Sequence, residues 1–213
     1  MIGDSLTYFE TYQQITNHVM QTLHDLLKDK KRICIAVAGE SGCGKTSLAY
    51  ALAKDLEIKL GIKGYIFHGD DYFKLPPASN HQKRLEDISW VGPQEVNLDH
   101  LDKDVQSFKA NKDSVIKPLV NYKENRITSK IINPNSFDFC IVEGTYATLL
   151  EQADYKIFIK TTYIETLMAR QARARDVMNA FNEKVLEIEH QIISAHAEHA
   201  DLKVEQDLSF STN

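Results

Sequence analysis

One octapeptide constrains this chain more than any other feature. Gly39 to Thr46 reads GESGCGKT and satisfies the pattern G-x-x-x-x-G-K-[ST] at every position. Just upstream, Ile33–Ala38 is a short continuous apolar run, as a parallel strand covered on both faces requires. Just downstream, Ser47–Leu60 carries helical periodicity. Glycines at 39, 42 and 44 let the backbone curl so that successive N–H groups converge on one anion, at the positive end of the following helix. Gly39, Glu40, Ser41, Gly42, Cys43, Gly44, Lys45, Thr46 and Ser47 are therefore the expected contacts to the phosphates of a nucleotide, ATP with Mg²⁺. Lys45 would reach the terminal phosphates as a charge that follows a transferring group, and the Thr46 hydroxyl would ligate Mg²⁺. Cys43 stands at a variable position of the loop and reads as a small filler rather than a regulatory thiol.

The rest of the chain alternates strands with helices. Short apolar runs at Tyr65–Phe67, Phe139–Val142 and Lys156–Ile159 each end in polar residues, and Leu202–Val204 offers a weaker last strand. Helical spacing fills Leu6–Leu27, Leu98–Phe108 and Glu165–Ile193. The fold class expected is α/β: a P-loop NTPase-type three-layer fold, a mainly parallel sheet with helices on both faces. Its 213 residues suit a single domain, 1–213. Within it, 1–30 reads as an N-terminal helix, 75–135 as an acceptor-side insertion, and 163–200 as lid and C-terminal helices. Pro76, Pro77 and Pro93 break the pattern early in the insertion, and Val115–Val120 against Ile127–Ile132 reads as a hairpin.

In an open α/β sheet, ligands bind at the carboxyl ends of the strands, so acids just after strands stand beside the nucleotide. Asp70 in HGDDYF and Glu143 in CIVEGTY are two such acids. Phosphoryl transfer needs one group to orient or deprotonate the attacking hydroxyl and others to hold the metal. Asp70 is assigned to the hydroxyl, with a share in the metal site, and Glu143 to the metal side. Asp71 reads as a solvated turn residue or helix cap. Arg170, Arg173 and Arg175 in LMARQARARD lie on one expected helix and would close over the phosphates, excluding water. Tyr72, Trp90, Tyr122 and Arg126 are candidate acceptor contacts. His190, His196 and His199 lack a third ligand and read as surface or packing residues rather than a metal site.

Composition removes several classes. A formal net charge of −5 argues against a nucleic-acid partner, which needs a concentrated basic face. The N-terminus, with Asp4 and Glu10, is wrong for a signal peptide, and no apolar run approaches the roughly 20 residues of a membrane span. Three cysteines without C-x-x-C spacing suggest neither a disulfide framework nor zinc. The expectation is a soluble, cytoplasmic protein with reduced thiols, compatible with a homo-oligomer, whose partners are a nucleotide and a small hydroxyl compound.

GESGCGKT, GDDYF, VEGTY and RQARARD, in that order and spacing over Ile33 to Asp176, resemble the uridine kinase and phosphoribulokinase family of P-loop kinases. The resemblance implies that the loop binds ATP, that Asp70 activates an acceptor hydroxyl and that the arginine-bearing helix forms a lid. The acceptor half departs from the uridine-using pattern. Where such members carry a segment like NFDHPDAF, this chain has SWVGPQEV, with Val91 in place of the ribose-holding Asp. P-x-Y-D-F-x-x-H-x-R becomes PLVNYKENR, with Val120 and Asn121 where Tyr and Asp would stand. Arg126 matches the terminal Arg, as an anion contact or a hairpin-edge residue. Uridine and cytidine are accordingly expected to be poor acceptors. A GTPase-type switch is disfavoured because Asn111-Lys112-Asp113-Ser114 fails N-K-x-D. A non-catalytic nucleotide sensor or scaffold is the other alternative, against which Asp70, Glu143 and Arg170 speak.

Overall fold

A computed structural model describes residues 9–28, 32–173 and 179–212. Five parallel strands form the core sheet: β1 (Cys34–Gly39), β2 (Gly64–His68), β5 (Phe139–Glu143), β6 (Tyr155–Ile159) and β7 (Leu202–Val204). β8 (Phe210–Thr212) closes one edge antiparallel, and the spatial order is β2-β5-β1-β6-β7-β8. A separate antiparallel hairpin pairs β3 (Val115–Asn121) with β4 (Arg126–Ile132).

The apolar runs of the sequence are continuous because both sheet faces are covered, and the period of two sorts each strand between two cores. Ile35, Val37, Ile141, Ile157 and Ile159 face a cluster shared with α1 (Gln13–Thr22) and α3 (Lys45–Leu60). Cys34, Ala36, Ala38, Cys140, Val142 and Phe158 face the opposite cluster with α5 (Leu98–Lys109) and α7 (Ala180–His196). The three-layer expectation therefore holds. Because β1 is central and every residue of it is buried, the loop that follows is anchored at the middle of the sheet.

Several boundaries differ from the sequence reading, each for a physical reason. The expected single helix Leu6–Leu27 becomes a short 3₁₀ turn (Glu10–Tyr12), α1, and α2 (His24–Lys28), broken where Leu23 turns inward to the core; residues 6–8 lie outside the described residues. The long helix expected over Glu165–Ile193 becomes α6 (Leu167–Arg173) and α7, with 174–178 outside the described residues. A helix absent from the sequence reading, α4 (Pro77–Glu86), occupies the proline-bearing stretch. Pro77 stands in its first turn, where a missing N–H costs nothing, and of its residues only Asn80 is buried, so no apolar stripe announced it. β8 also escaped, since three residues carry no alternation to read. Within the span 75–135, α5 packs Leu101, Val105 and Phe108 onto the sheet, leaving α4, the 88–97 segment and the hairpin as the outlying parts. Among the described residues no helix is long and apolar enough to cross a membrane.

Candidate active site

Gly39, Gly42 and Gly44 adopt φ of 145°, 86° and 100°, values L side chains rarely take, which lets the loop wrap the N-terminus of α3. A Cβ on Gly39 would stand 2.6 Å from the Ile159 carbonyl oxygen, and one on Gly42 would stand 2.9 Å from Arg170 Cγ. The loop is thus held between the end of β6 and the segment that enters α6. Lys45 Nζ donates to the Glu40 carbonyl oxygen at 2.7 Å, folded over the loop it serves. Ser47 follows in the first turn of α3. Cys43 is half-buried, and burial pushes its thiol pKa up against the pull of Lys45, the opposite of an activated thiolate and consistent with a filler.

The Glu40 side chain does something the sequence did not show. One carboxylate oxygen accepts the Tyr163 backbone N–H at 2.6 Å and the other meets His190 Nδ1 of α7 at 2.6 Å. Thr166 donates to the Ser41 carbonyl oxygen at 2.9 Å, and Arg170 Nη2 donates to the Tyr163 carbonyl oxygen at 3.0 Å. The segment from Tyr163 to Arg170 therefore rests directly on the phosphate loop. Arg170 Nε is buried and, among the described residues, has no hydrogen-bond partner. Arg175 and the side chain of Arg173 lie outside the described residues.

Glu143, at the end of β5, stands between two partners. It accepts the Thr46 hydroxyl at 3.2 Å and lies 2.7 Å from His68 Nδ1, at the end of neighbouring β2. Burial alone would raise its pKa, but the His68 hydrogen bond and the Lys45 charge outweigh that and hold it below the ordinary carboxylate value. An ionised carboxylate beside a threonine hydroxyl is a hard oxygen donor set that fits Mg²⁺. His68 was missed because a strand-ending histidine has no motif. Asp70 lies one residue past Gly69, whose backbone packs against Gly144, and it lines a cleft with Phe73, Val96, Thr145 and Tyr146.

Asp71 overturns its expectation. It is fully buried, pairs with the buried Lys117 of β3 and accepts the Val120 N–H at 3.0 Å, so it fastens the hairpin to the end of β2 rather than capping a turn in solvent. Tyr72 is a core residue at 1% exposure with its hydroxyl donated to Asp104 at 2.7 Å. Trp90 is half-buried and donates Nε1 to Asn80 at 2.9 Å. Tyr122 is half-buried at the hairpin turn, and Arg126 is exposed there and paired with Glu124 at 2.6 Å.

Between α4, the 88–97 segment and α7 lies a buried polar network with no signature in the sequence. Glu95, 0% exposed, takes two hydrogen bonds from Arg84 of α4, one from Asn80 and one from the Gly92 N–H. Arg84 also donates to Glu189 of α7 at 2.8 Å. Burial works against the Arg84 charge, and Glu95 and Glu189 overcome it, holding the guanidinium firmly protonated. Two consecutive residues of α7 thus reach in different directions, Glu189 to Arg84 of α4 and His190 to Glu40 of the phosphate loop.

The family model described as "Phosphoribulokinase / Uridine kinase family" matches residues 34–202. The chain belongs to this family. A uridine kinase from Staphylococcus epidermidis is 27% identical over 180 residues, covering 79% of this chain and 84% of that one. The bifunctional alpha-galactosidase/sucrose kinase AgaSK of Mediterraneibacter gnavus is 25% identical over 192 residues, 84% of this chain but only 20% of that longer protein. The solved structure of a D-glycerate 3-kinase from Cryptococcus neoformans superposes with a TM-score of 0.65 at 13% identity, covering 96% of this chain and all of that one, a likeness of fold. Membership makes the protein a P-loop kinase. The N-terminal helix α1 lies outside the matched span.

Proposed function

We propose that the chain transfers the γ-phosphoryl group of ATP, with Mg²⁺, to a hydroxyl of a small metabolite. The observation that carries this reading is the joint placement of Lys45, Thr46, Glu143 and Asp70 around the carboxyl ends of β1, β2 and β5. Bound Mg²⁺ would neutralise charge on the terminal phosphates, held by Thr46 and Glu143 with His68 fixing the Glu143 carboxylate. Lys45 exchanges its Glu40 carbonyl contact for phosphate oxygens, Asp70 orients the acceptor hydroxyl and takes its proton, and Arg170 supplies charge from the lid side. The relatives' names span uridine, sucrose and D-glycerate as acceptors, so the family does not fix the acceptor.

Against a nucleoside stand the sequence departures at Val91 and Val120, where the uridine-using pattern has an Asp and a Tyr; both valines are buried, and neither side chain can form a hydrogen bond. Each missing charge-assisted contact forgoes about 1.5–3 kcal/mol, roughly ten- to a hundredfold in kcat/KM. Steady-state kinetics with uridine and cytidine test this: a kcat/KM of ~10⁴ M⁻¹s⁻¹ or more for either would overturn it. The catalytic assignment is tested with Asp70→Asn, which is to retain ATP binding and lose transfer. Proportionate loss of both would make Asp70 a metal ligand or a structural residue.

A further inference from the structure

Resting on the kinase reading above, we infer that the start of the N-terminal helix is part of the donor site, with the Phe9 and Tyr12 rings forming the face on which the purine base of the nucleotide lies. The helix precedes residues 34–202, the span matched to the family, so membership assigns it no role. Its place in the fold does. α1 and α3 lie side by side and run in the same direction: the Tyr12 hydroxyl stands at Gly44, the Thr16 hydroxyl donates to Asp55, and Lys59 Nζ donates to Asn17 Oδ1 at 2.8 Å. Positions 12, 16 and 17 advance together with 44, 55 and 59, which brings the residues just ahead of α1 to the phosphate-loop end of α3. Ile15 and Val19 are buried in the same cluster as Leu48 and Leu52, and His18 meets Phe210 of β8 with ring centroids 4.8 Å apart. The helix is fastened on both flanks, so its start has a set position at the loop.

Contact with the loop is direct. A Cβ on Gly44, the residue that caps α3, would stand 2.7 Å from the Tyr12 hydroxyl oxygen. A nucleotide seated by its phosphates in the loop passes the first turn of that helix, and its ribose and base must continue beyond it. Two flanks of the loop are already taken. Thr46 and Glu143 mark the side of the metal and the terminal phosphates, and the segment from Tyr163 to Arg170 rests on Ser41 and Gly42. The flank at Gly44, where α1 begins, is the one left for the base, and its surface is aromatic. Tyr12 is half-buried, while Phe9 is 46% exposed and stands edge-on to it, with ring centroids 6.4 Å apart and planes at 72°. A flat heterocycle laid on these rings removes apolar area from water and needs no polar partner, and a purine covers more of that area than a pyrimidine.

The test is calorimetric titration of the full chain, with Mg²⁺ present, using two probes that share a diphosphate and differ in the base: ADP and inorganic pyrophosphate. Phe9→Ala and Tyr12→Ala are each expected to raise the Kd of ADP about tenfold or more and to leave that of pyrophosphate within about twofold. Tyr12→Phe keeps the ring and is expected to stay within about threefold of the parent for both probes. Equal weakening of ADP and pyrophosphate would make α1 a prop under the loop, and unchanged ADP binding in the folded variants would put the rings outside the donor site; either result overturns the inference. So does a parent chain that binds pyrophosphate as tightly as ADP. Phe9 is exposed, so its variant carries the test should Tyr12→Ala fail to fold. A parent chain that binds neither probe would instead bring down the kinase reading itself.

Discussion

Lys117→Met removes one of the contacts that hold the β3–β4 hairpin onto the sheet. Lys117 and Asp71 have 2% and 0% side-chain exposure, so substitution removes the ammonium from a carboxylate that water cannot reach. Breaking a buried pair from one side costs about 3–5 kcal/mol, because the remaining charge keeps its desolvation penalty without the attraction that offset it. In a chain of 213 residues each kcal/mol moves Tm by about 2–4 °C, so the expected fall is about 6–20 °C. Adding Asp71→Asn removes the stranded charge while leaving an amide oxygen for the Val120 N–H, so the double variant is expected to recover most of that loss. Thermal melts by circular dichroism or calorimetry measure both. A single variant within about 2 °C of the parent, or a double variant no better than the single, would refute the reasoning.

His190→Ala removes one of the two groups holding the Glu40 carboxylate and loosens the loop that carries Lys45; with about 1.5–3 kcal/mol at stake, KM for ATP is expected to rise roughly ten- to a hundredfold with a smaller change in kcat. An unchanged KM in a folded variant would show that the clamp is not felt by the nucleotide. At alkaline pH, burial, then the Asp71 charge, push Tyr65 up to about 12 from 10.0. Tyr72 is pushed higher still, by burial and then by Asp104. A folded pKa above the unfolded one adds stability that is whole below pH 10.0 and lost as pH rises toward about 12. Tm is therefore expected to drop across that window, with phenolate absorbance at 295 nm appearing together with unfolding; early phenolate absorbance equal to that of the urea-unfolded chain would contradict it.

The sequence by itself determined the nucleotide half of this protein. GESGCGKT sets the loop because its glycines must take positive φ and its Lys and Thr must follow at once, a local requirement written in adjacent residues. The buried runs of β1 and β5 are legible for a related reason, since a strand covered on both faces is apolar at every position. Asp70 and Glu143 could be singled out because chain order alone puts them at strand ends. Only the tertiary structure decided the surroundings of α4, the 88–97 segment and the hairpin. Asp71 cannot be told from Asp70 in GDDYF until the hairpin places Lys117 against it, 46 positions on. Glu95, Arg84 and Glu189 are three ordinary charges in the sequence, and α4 is a helix with no apolar stripe; each takes its meaning from the others once α7 folds back beside them. His190 joins Glu40 across 150 positions in the same way. Pairings of that kind depend on long-range packing, which leaves no periodic trace in the residues themselves.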